Sequence, residues 1–158
     1  MWVDKLQGEH KAWLATRYVN QEPKVPLMGI IGEAGEACHA LLSEYKELKH
    51  GKNPRHQEHN AEVLDAIGDC VIYMCSWCNS HGVDQRLSKF DWRPVWSNTL
   101  VHPLDLGYHL MDAALECYRL EYVTQKLVHN LVCICGIRGV EIEAVVTSAW
   151  NQVKERVR

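Results

Sequence analysis

The stretch that decides the fold is Pro26-Leu-Met-Gly-Ile-Ile-Gly-Glu33-Ala-Gly-Glu36-Ala-Cys-His-Ala-Leu41, continued by Leu42 to Lys49. Its members Leu27, Ile30, Ile31, Ala34, Cys38, Leu41, Leu42 and Tyr45 recur with the rhythm of a helix that buries one side. The spacing predicts a helix over 26–49. Glu33 and Glu36 stand inside it, three apart, so they share a face about 60° wide at 100° per residue. Carboxylates in an otherwise core-like helix need a reason. Like charges at this spacing repel, and desolvating each without a partner costs several kcal/mol.

Working outward, Val3, Leu6, His10, Trp13, Leu14 and Arg17 trace an earlier helix, broken by Asn20, Pro23 and Pro26. His50 to His56 is basic, rich in breakers and reads as a loop. A third helix is expected over 57–80, apolar nearly all round beyond Asp69 and therefore buried at its far end, with His81-Gly82 closing it. Residues 84–106 read as an irregular connection packed by Trp92 and Trp96, and Pro103 excludes a helix interior there. Helical patterns resume over Leu106–Leu120, Tyr122–Ile137 and, after the Arg138-Gly139 break, Glu141–Val157. No strand-like alternation persists, so the fold class is all-α, a single domain over 1–158. Residues 1–84 form its acid-bearing half, and the helices of 104–158 complete the bundle.

Composition agrees. Hydrophobic residues are 47% and charged residues 23% of 158, which excludes a disordered chain. Ten glycines and five prolines are fewer than the usual share of roughly 12%, which favours helices over a turn-rich β fold. Net charge is −3, with no basic footprint for a nucleic-acid backbone. The longest nearly apolar run, Cys70 to Cys78, falls short of the about 20 residues a membrane span needs. No charged-then-apolar stretch precedes a small-residue cleavage site, so a cytoplasmic location is expected. Seven cysteines without a zinc or secreted-scaffold spacing read as buried thiols, the Cys75/Cys78 pair included.

An internal repeat is open. A shift of about 79 residues sets Glu33–Cys38 on Asp112–Cys117, and one of about 57 sets Asp69–Asp84 on Lys126–Glu141. The second copy would be degenerate: Glu36 falls on Leu115, Asp65 on Tyr122 and Asp69 on Lys126.

The third helix carries a second acidic row, Glu62, Asp65 and Asp69, also on one face. Two facing helices with such rows are natural ligands for a hard divalent cation, Mg²⁺ first and Mn²⁺ as a substitute. Gly32, Gly35 and Gly68 beside these acids each cost about 1 kcal/mol of helix propensity, and close helix–helix approach is their expected use. Glu44, Glu47, Glu58, Glu116 and Glu121 read instead as solvated helix faces.

The stretch quoted above, followed by Asp65-Ala-Ile-Gly-Asp69-Cys-Val-Ile-Tyr73, resembles the MazG-like all-α nucleoside triphosphate pyrophosphohydrolases. Their ExxE pair, spacer and ExxD pair are met literally by Glu33-x-x-Glu36 and Glu62-x-x-Asp65. By context Asp69, before the apolar run, matches the last aspartate better than Asp65, and Gly32 stands where many members carry another acid. Trp13, the phrase Cys78-Asn-Ser-His-Gly-Val-Asp84 and the tail Ala149-Trp-Asn-Gln-Val-Lys-Glu-Arg156 are similar too. The likeness covers about residues 6–84 and returns at the end of the chain.

The resemblance implies a MazG-like helical bundle that hydrolyses a nucleoside triphosphate to its monophosphate and pyrophosphate. Glu33, Glu36, Glu62, Asp65 and Asp69 would hold Mg²⁺, with Glu33 or Glu36 orienting or deprotonating the attacking water. Lys46, Lys49, Lys52 and Arg55 are a phosphate clamp or a solvated loop, and Trp13 is a base platform or a core residue. A homodimer or homotetramer is expected, since the Ile72–Trp77 surface would otherwise be bare. The alternatives are phosphoribosyl-ATP pyrophosphatase activity, a catalytically inactive nucleotide-binding or interaction protein of the same fold, and a purely structural bundle.

Overall fold

The computed structural model describes residues 1–17, 21–51, 56–80, 83–96 and 101–156, with only the backbone given for His56 and Gln57. Among them every regular element is helical: α1 (Trp2–Ala15), α2 (Lys24–Lys49), α3 (His56–Cys78), α4 (Pro103–Leu120), α5 (Gln125–Ile137) and α6 (Ile142–Glu155), with one 3₁₀ turn at Leu87–Lys89. The fold is all-α. No helix among the described residues is long and apolar enough to cross a membrane. The expected closure of α3 at His81-Gly82 lies outside the described residues.

Two helix starts differ from the sequence reading, for local reasons. Pro103 opens α4 instead of preceding it, because a first-turn N–H has no helical partner to lose. His102 caps that turn through Nδ1, which accepts from Leu104 N at 3.3 Å. Helix α5 begins at Gln125 and not Tyr122, since Thr124 Oγ1 caps it by accepting from Leu127 N at 3.3 Å. Glu121 meanwhile turns the chain in a left-handed conformation, φ 54°. The Arg138-Gly139 break is as expected, with Gly139 at φ 70°.

Helix α2 is the spine. It packs antiparallel against α3, with Gly29 facing Tyr73 and Glu47 facing His59. On its other flank it packs antiparallel against α4, with Lys24 bonded to Glu121 at 2.6 Å and Cys38 Sγ donating to Gly107 O at 3.1 Å. Helix α6 packs on α3, and α5 joins α4 to α6. The core holds Leu27, Ile30, Leu41, Ile67, Met74, Trp77, Leu110, Leu127, Leu131 and Ile134, all at most 2% exposed. The run beyond Asp69 is buried as expected. Ile72 and Trp77 are covered by the chain's own helices, at 8% and 2% exposure, so this run is not a bare surface.

Helix α1 is held on α3 by a polar network. Asn79 Nδ2 donates to Gln7 O at 3.1 Å, Gln7 Nε2 donates to Gln85 O at 2.9 Å, and Gln7 Oε1 accepts from Leu87 N at 2.9 Å. Buried His10 sits 3.0 Å from Ser76 Oγ, and burial pushes its pKa down to about 4. All seven cysteines are free thiols. Cys75 and Cys78 are buried, and desolvation lifts Cys78 to about 12, so the pair packs as the sequence reading holds.

Candidate functional site

The antiparallel contact of α2 and α3 lays their acidic rows along one groove. Tyr73 closes one end: its ring covers Gly29 so tightly that a Cβ there would stand 2.4 Å from the ring carbons. Next come Glu33 and Asp69, both half-buried, then Glu36 and Asp65, both exposed. Beyond them the groove widens into a cleft of about 400 Å³ lined by Glu36, His39, Ser43, His59, Glu62 and Asp65.

Electrostatics shows which acids share this space. Burial, then the charges of Asp69, Glu36 and Asp65, push the Glu33 carboxyl up to about 7. Asp69 is raised by burial, Asp65 and Glu36, and is pulled the other way by Arg156. Burial and the charges of Glu33, Asp69 and Glu36 raise the Tyr73 phenol. Four of the five sequence-predicted acids therefore act on one another from two helices. Glu62 lines the cleft with Glu36 and Asp65 but has a partner of its own: it lies 3.6 Å from His59 Nδ1, while Glu47 lies 3.2 Å from His59 Nε2. Glu47 is thus not a solvated face residue, and neither is Glu44, whose Oε2 accepts from Arg138 Nη2 at 2.8 Å.

The donor set is all carboxylate oxygen, which suits Mg²⁺. Glu33 supports that fit, because burial and three like charges leave its carboxylate short of compensating positive charge. Among the described residues, however, no group of three or more His, Cys, Asp or Glu side chains stands in an arrangement that could hold a metal ion. The acids share a groove without being gathered on one point.

The other predicted residues fall elsewhere. Lys46 and Lys49 are exposed in the last turn of α2, where a cation complements the helix dipole. Lys52 and Arg55 lie outside the described residues. Trp13 is half-buried in an aromatic cluster, its ring 5.8 Å from His10 and 5.8 Å from Trp150, with the Arg17 guanidinium 4.9 Å above it. These neighbours fill the packing role the sequence reading allowed for it.

The glycines behave individually. A Cβ on Gly68 would stand 2.6 Å from Ala149 Cβ, so this glycine does permit close approach, but of α6. Gly32 faces open space and Gly35 has only ordinary contact with Met111, which overturns the expectation for those two. Arg156 and Tyr73 are the residues sequence reasoning missed. Tyr73 was legible, four residues beyond Asp69 on the same face. Arg156 reaches the row from α6, and nothing local signals that.

At the positions the proposed repeat sets on Glu33 and Asp69, Asp112 and Lys126 form an ion pair of 2.7 Å. Lys126 also lies 3.3 Å from Glu116. The second helix pair thus carries a neutralised contact where the first carries repulsion.

No protein-family model, no curated protein and no solved structure matches this chain.

Proposed function

We propose that this protein is an Mg²⁺-dependent nucleoside triphosphate pyrophosphohydrolase of the MazG-like kind, acting on deoxynucleoside or non-standard nucleoside triphosphates and releasing pyrophosphate. The observation that carries the reading is the mutual crowding of Glu33, Glu36, Asp65 and Asp69 along one groove between two helices. Carboxylates that repel one another, Glu33 and Asp69 of them half-buried, keep such an arrangement at a cost in stability, which a bound cation would offset. The resemblance of the two acidic motifs to that family supplies the reaction class.

The resemblance gives Mg²⁺ to Glu33, Glu36, Asp65 and Asp69, with Glu62 at the edge of the set, and these side chains would have to draw together along the groove to hold it. Bound Mg²⁺ supplies charge neutralisation at the triphosphate and acidification of water. Glu36, exposed in the cleft, orients the attacking water or takes its proton, and Glu33 is the other candidate for that role. Arg156, whose charge already reaches Asp69, contributes a cation to the phosphates, as do Lys46 and Lys49 from the end of α2.

The test is pyrophosphate release from a panel of NTPs, dNTPs and phosphoribosyl-ATP with Mg²⁺, beside EDTA and Glu36→Gln controls. Metal-dependent release that falls at least 100-fold in the variant is expected. A folded protein that releases nothing from any of them would overturn the catalytic reading in favour of a nucleotide-binding or interaction role.

A further inference from the structure

The outer side of α2 and α4 is a bare apolar surface. Helix α2 is flanked by α3 and α4. Along the side that neither covers, Val25, Met28 and Leu42 are exposed at helical spacing. Exposed Gly32 and His39 fill the gap, so no Asp, Glu, Lys or Arg interrupts the row. On α4 the matching row is Leu104, Tyr108 and Leu115. Met111 joins the two rows, its methyl 3.8 Å from where a Cβ on Gly35 would stand. The six apolar side chains range from 37% exposed at Leu42 to 68% at Tyr108. Apolar residues scattered singly over a surface need no explanation, but six gathered on one face mark a contact. Charges stand at the margins: the Lys24–Glu121 ion pair at one end, Lys46 at the other and Glu36 along the acid cleft. An apolar centre with a polar rim is the make-up of a protein interface.

We infer that this face seats a second copy of the chain, so that α2 and α4 of two protomers close into a four-helix bundle about a two-fold axis. An isologous contact needs a surface that matches itself after a half-turn. Met28 and Leu42 stand seven residues on either side of Gly35, and Tyr108 and Leu115 stand one turn on either side of Met111. Gly35 and Met111 are neighbours, so the two rows share a centre. A half-turn about an axis crossing the helices at that level sets Met28 on Leu42 of the partner subunit. It also sets Tyr108 on Leu115 of the partner subunit, apolar on apolar in both rows. Because α2 and α4 are already antiparallel, all four helices then run antiparallel to their neighbours, as in an up-down bundle.

The area agrees. From Val25 to Leu42 helix α2 rises about 26 Å, and two packed helices are about 20 Å across. The footprint is roughly 500 Å² on each copy, or roughly 1,000 Å² over both, which reaches the size of a specific interface. The inference stands apart from the pyrophosphohydrolase reading. The two meet at His39, which is exposed on this side of α2 and lines the acid cleft, so a seated partner borders that cleft.

Sedimentation equilibrium of the full chain at micromolar concentration tests the proposal. The wild type should have twice its chain mass of 18.2 kDa. Met28→Glu and Tyr108→Glu each put a charge into the apolar centre and should weaken self-association by at least about 10-fold. Trp96→Glu, at an exposed apolar residue outside the face, should leave it unchanged. Positions 28 and 108 are exposed in the single chain, so both variants should keep the wild-type circular dichroism and a cooperative melt. Met28→Lys and Leu42→Glu proteins, each weakened alone, should associate with each other when mixed, through the opposed pair. A monomeric wild type, or an assembly that both face variants leave intact, overturns the proposal. Failure of the mixed proteins to associate overturns the half-turn pairing on which the self-contact is argued. Capture of another protein's helix by a monomeric wild type gives the face a different occupant and overturns it as well.

Discussion

Glu33 shows at single-residue scale how a sequence pattern becomes a chemical property. Its spacing to Glu36 was legible from helix periodicity alone, but its elevated pKa comes from burial and from Asp69 and Asp65 on another helix. The sign of the consequence follows directly. The folded carboxyl binds its proton up to about pH 7, against an ordinary value of 4.5, so folding stability falls as pH rises from about 4.5 to about 7. Glu33→Gln removes that penalty. Without metal its thermal midpoint should match the wild type near pH 4 and exceed it at pH 8, and added Mg²⁺ should narrow the gap by stabilising the wild type. Thermal melts across that pH range check this; a gap that does not change with pH would contradict the crowded-carboxylate picture. Glu62, which helix spacing sets on the same face as Asp65 and Asp69, lies 3.6 Å from His59 Nδ1. Arg156 was not readable, because its approach to Asp69 depends on how α6 lies on α3.

Among the elements, the helix centres were legible and their ends were not. Apolar periodicity extends over many residues and averages out local exceptions, whereas an end depends on one cap: Thr124 for α5, or Pro103 with His102 for α4. Glycines within the helices make the contrast testable, because the same substitution should have opposite effects at two positions of α2. Gly32→Ala meets open space and should stabilise by about 0.5–1 kcal/mol through helix propensity. Gly29→Ala drives a methyl into the Tyr73 ring and should destabilise by about 1–3 kcal/mol, since the overpacking outweighs the propensity gain. Urea unfolding of the two variants side by side gives the sign of each, and the prediction fails if both move in the same direction.

At the scale of the whole molecule, Arg138 ties three helices together. From the end of α5 its Nη2 donates to Glu44 of α2 at 2.8 Å and its Nη1 donates to Asn60 of α3 at 2.7 Å, with both charged side chains almost entirely buried. Removing one partner of a buried pair leaves the other charge desolvated, so Arg138→Met should cost about 3 kcal/mol. Adding Glu44→Met should recover part of that loss. Chemical denaturation of the single and double variants measures it, and a single variant within 0.5 kcal/mol of the wild type, taking that as roughly the noise of a surface change, would show that the tie is not structural.

The sequence by itself determined the helical class, the positions of six helices to within a turn, the burial of the run after Asp69 and the two acidic rows. Each of these is a periodic or compositional property, written locally and repeated along the chain. Tertiary structure alone decided that Glu33, Glu36, Asp65 and Asp69 share one groove while Glu62 turns to His59. It also decided that Gly68 admits α6 whereas Gly32 admits nothing, and that Ile72 and Trp77 are covered from within. These are contacts between residues far apart in the chain, set by how helices are placed on one another, and periodicity along one helix carries no information about which helix will face it.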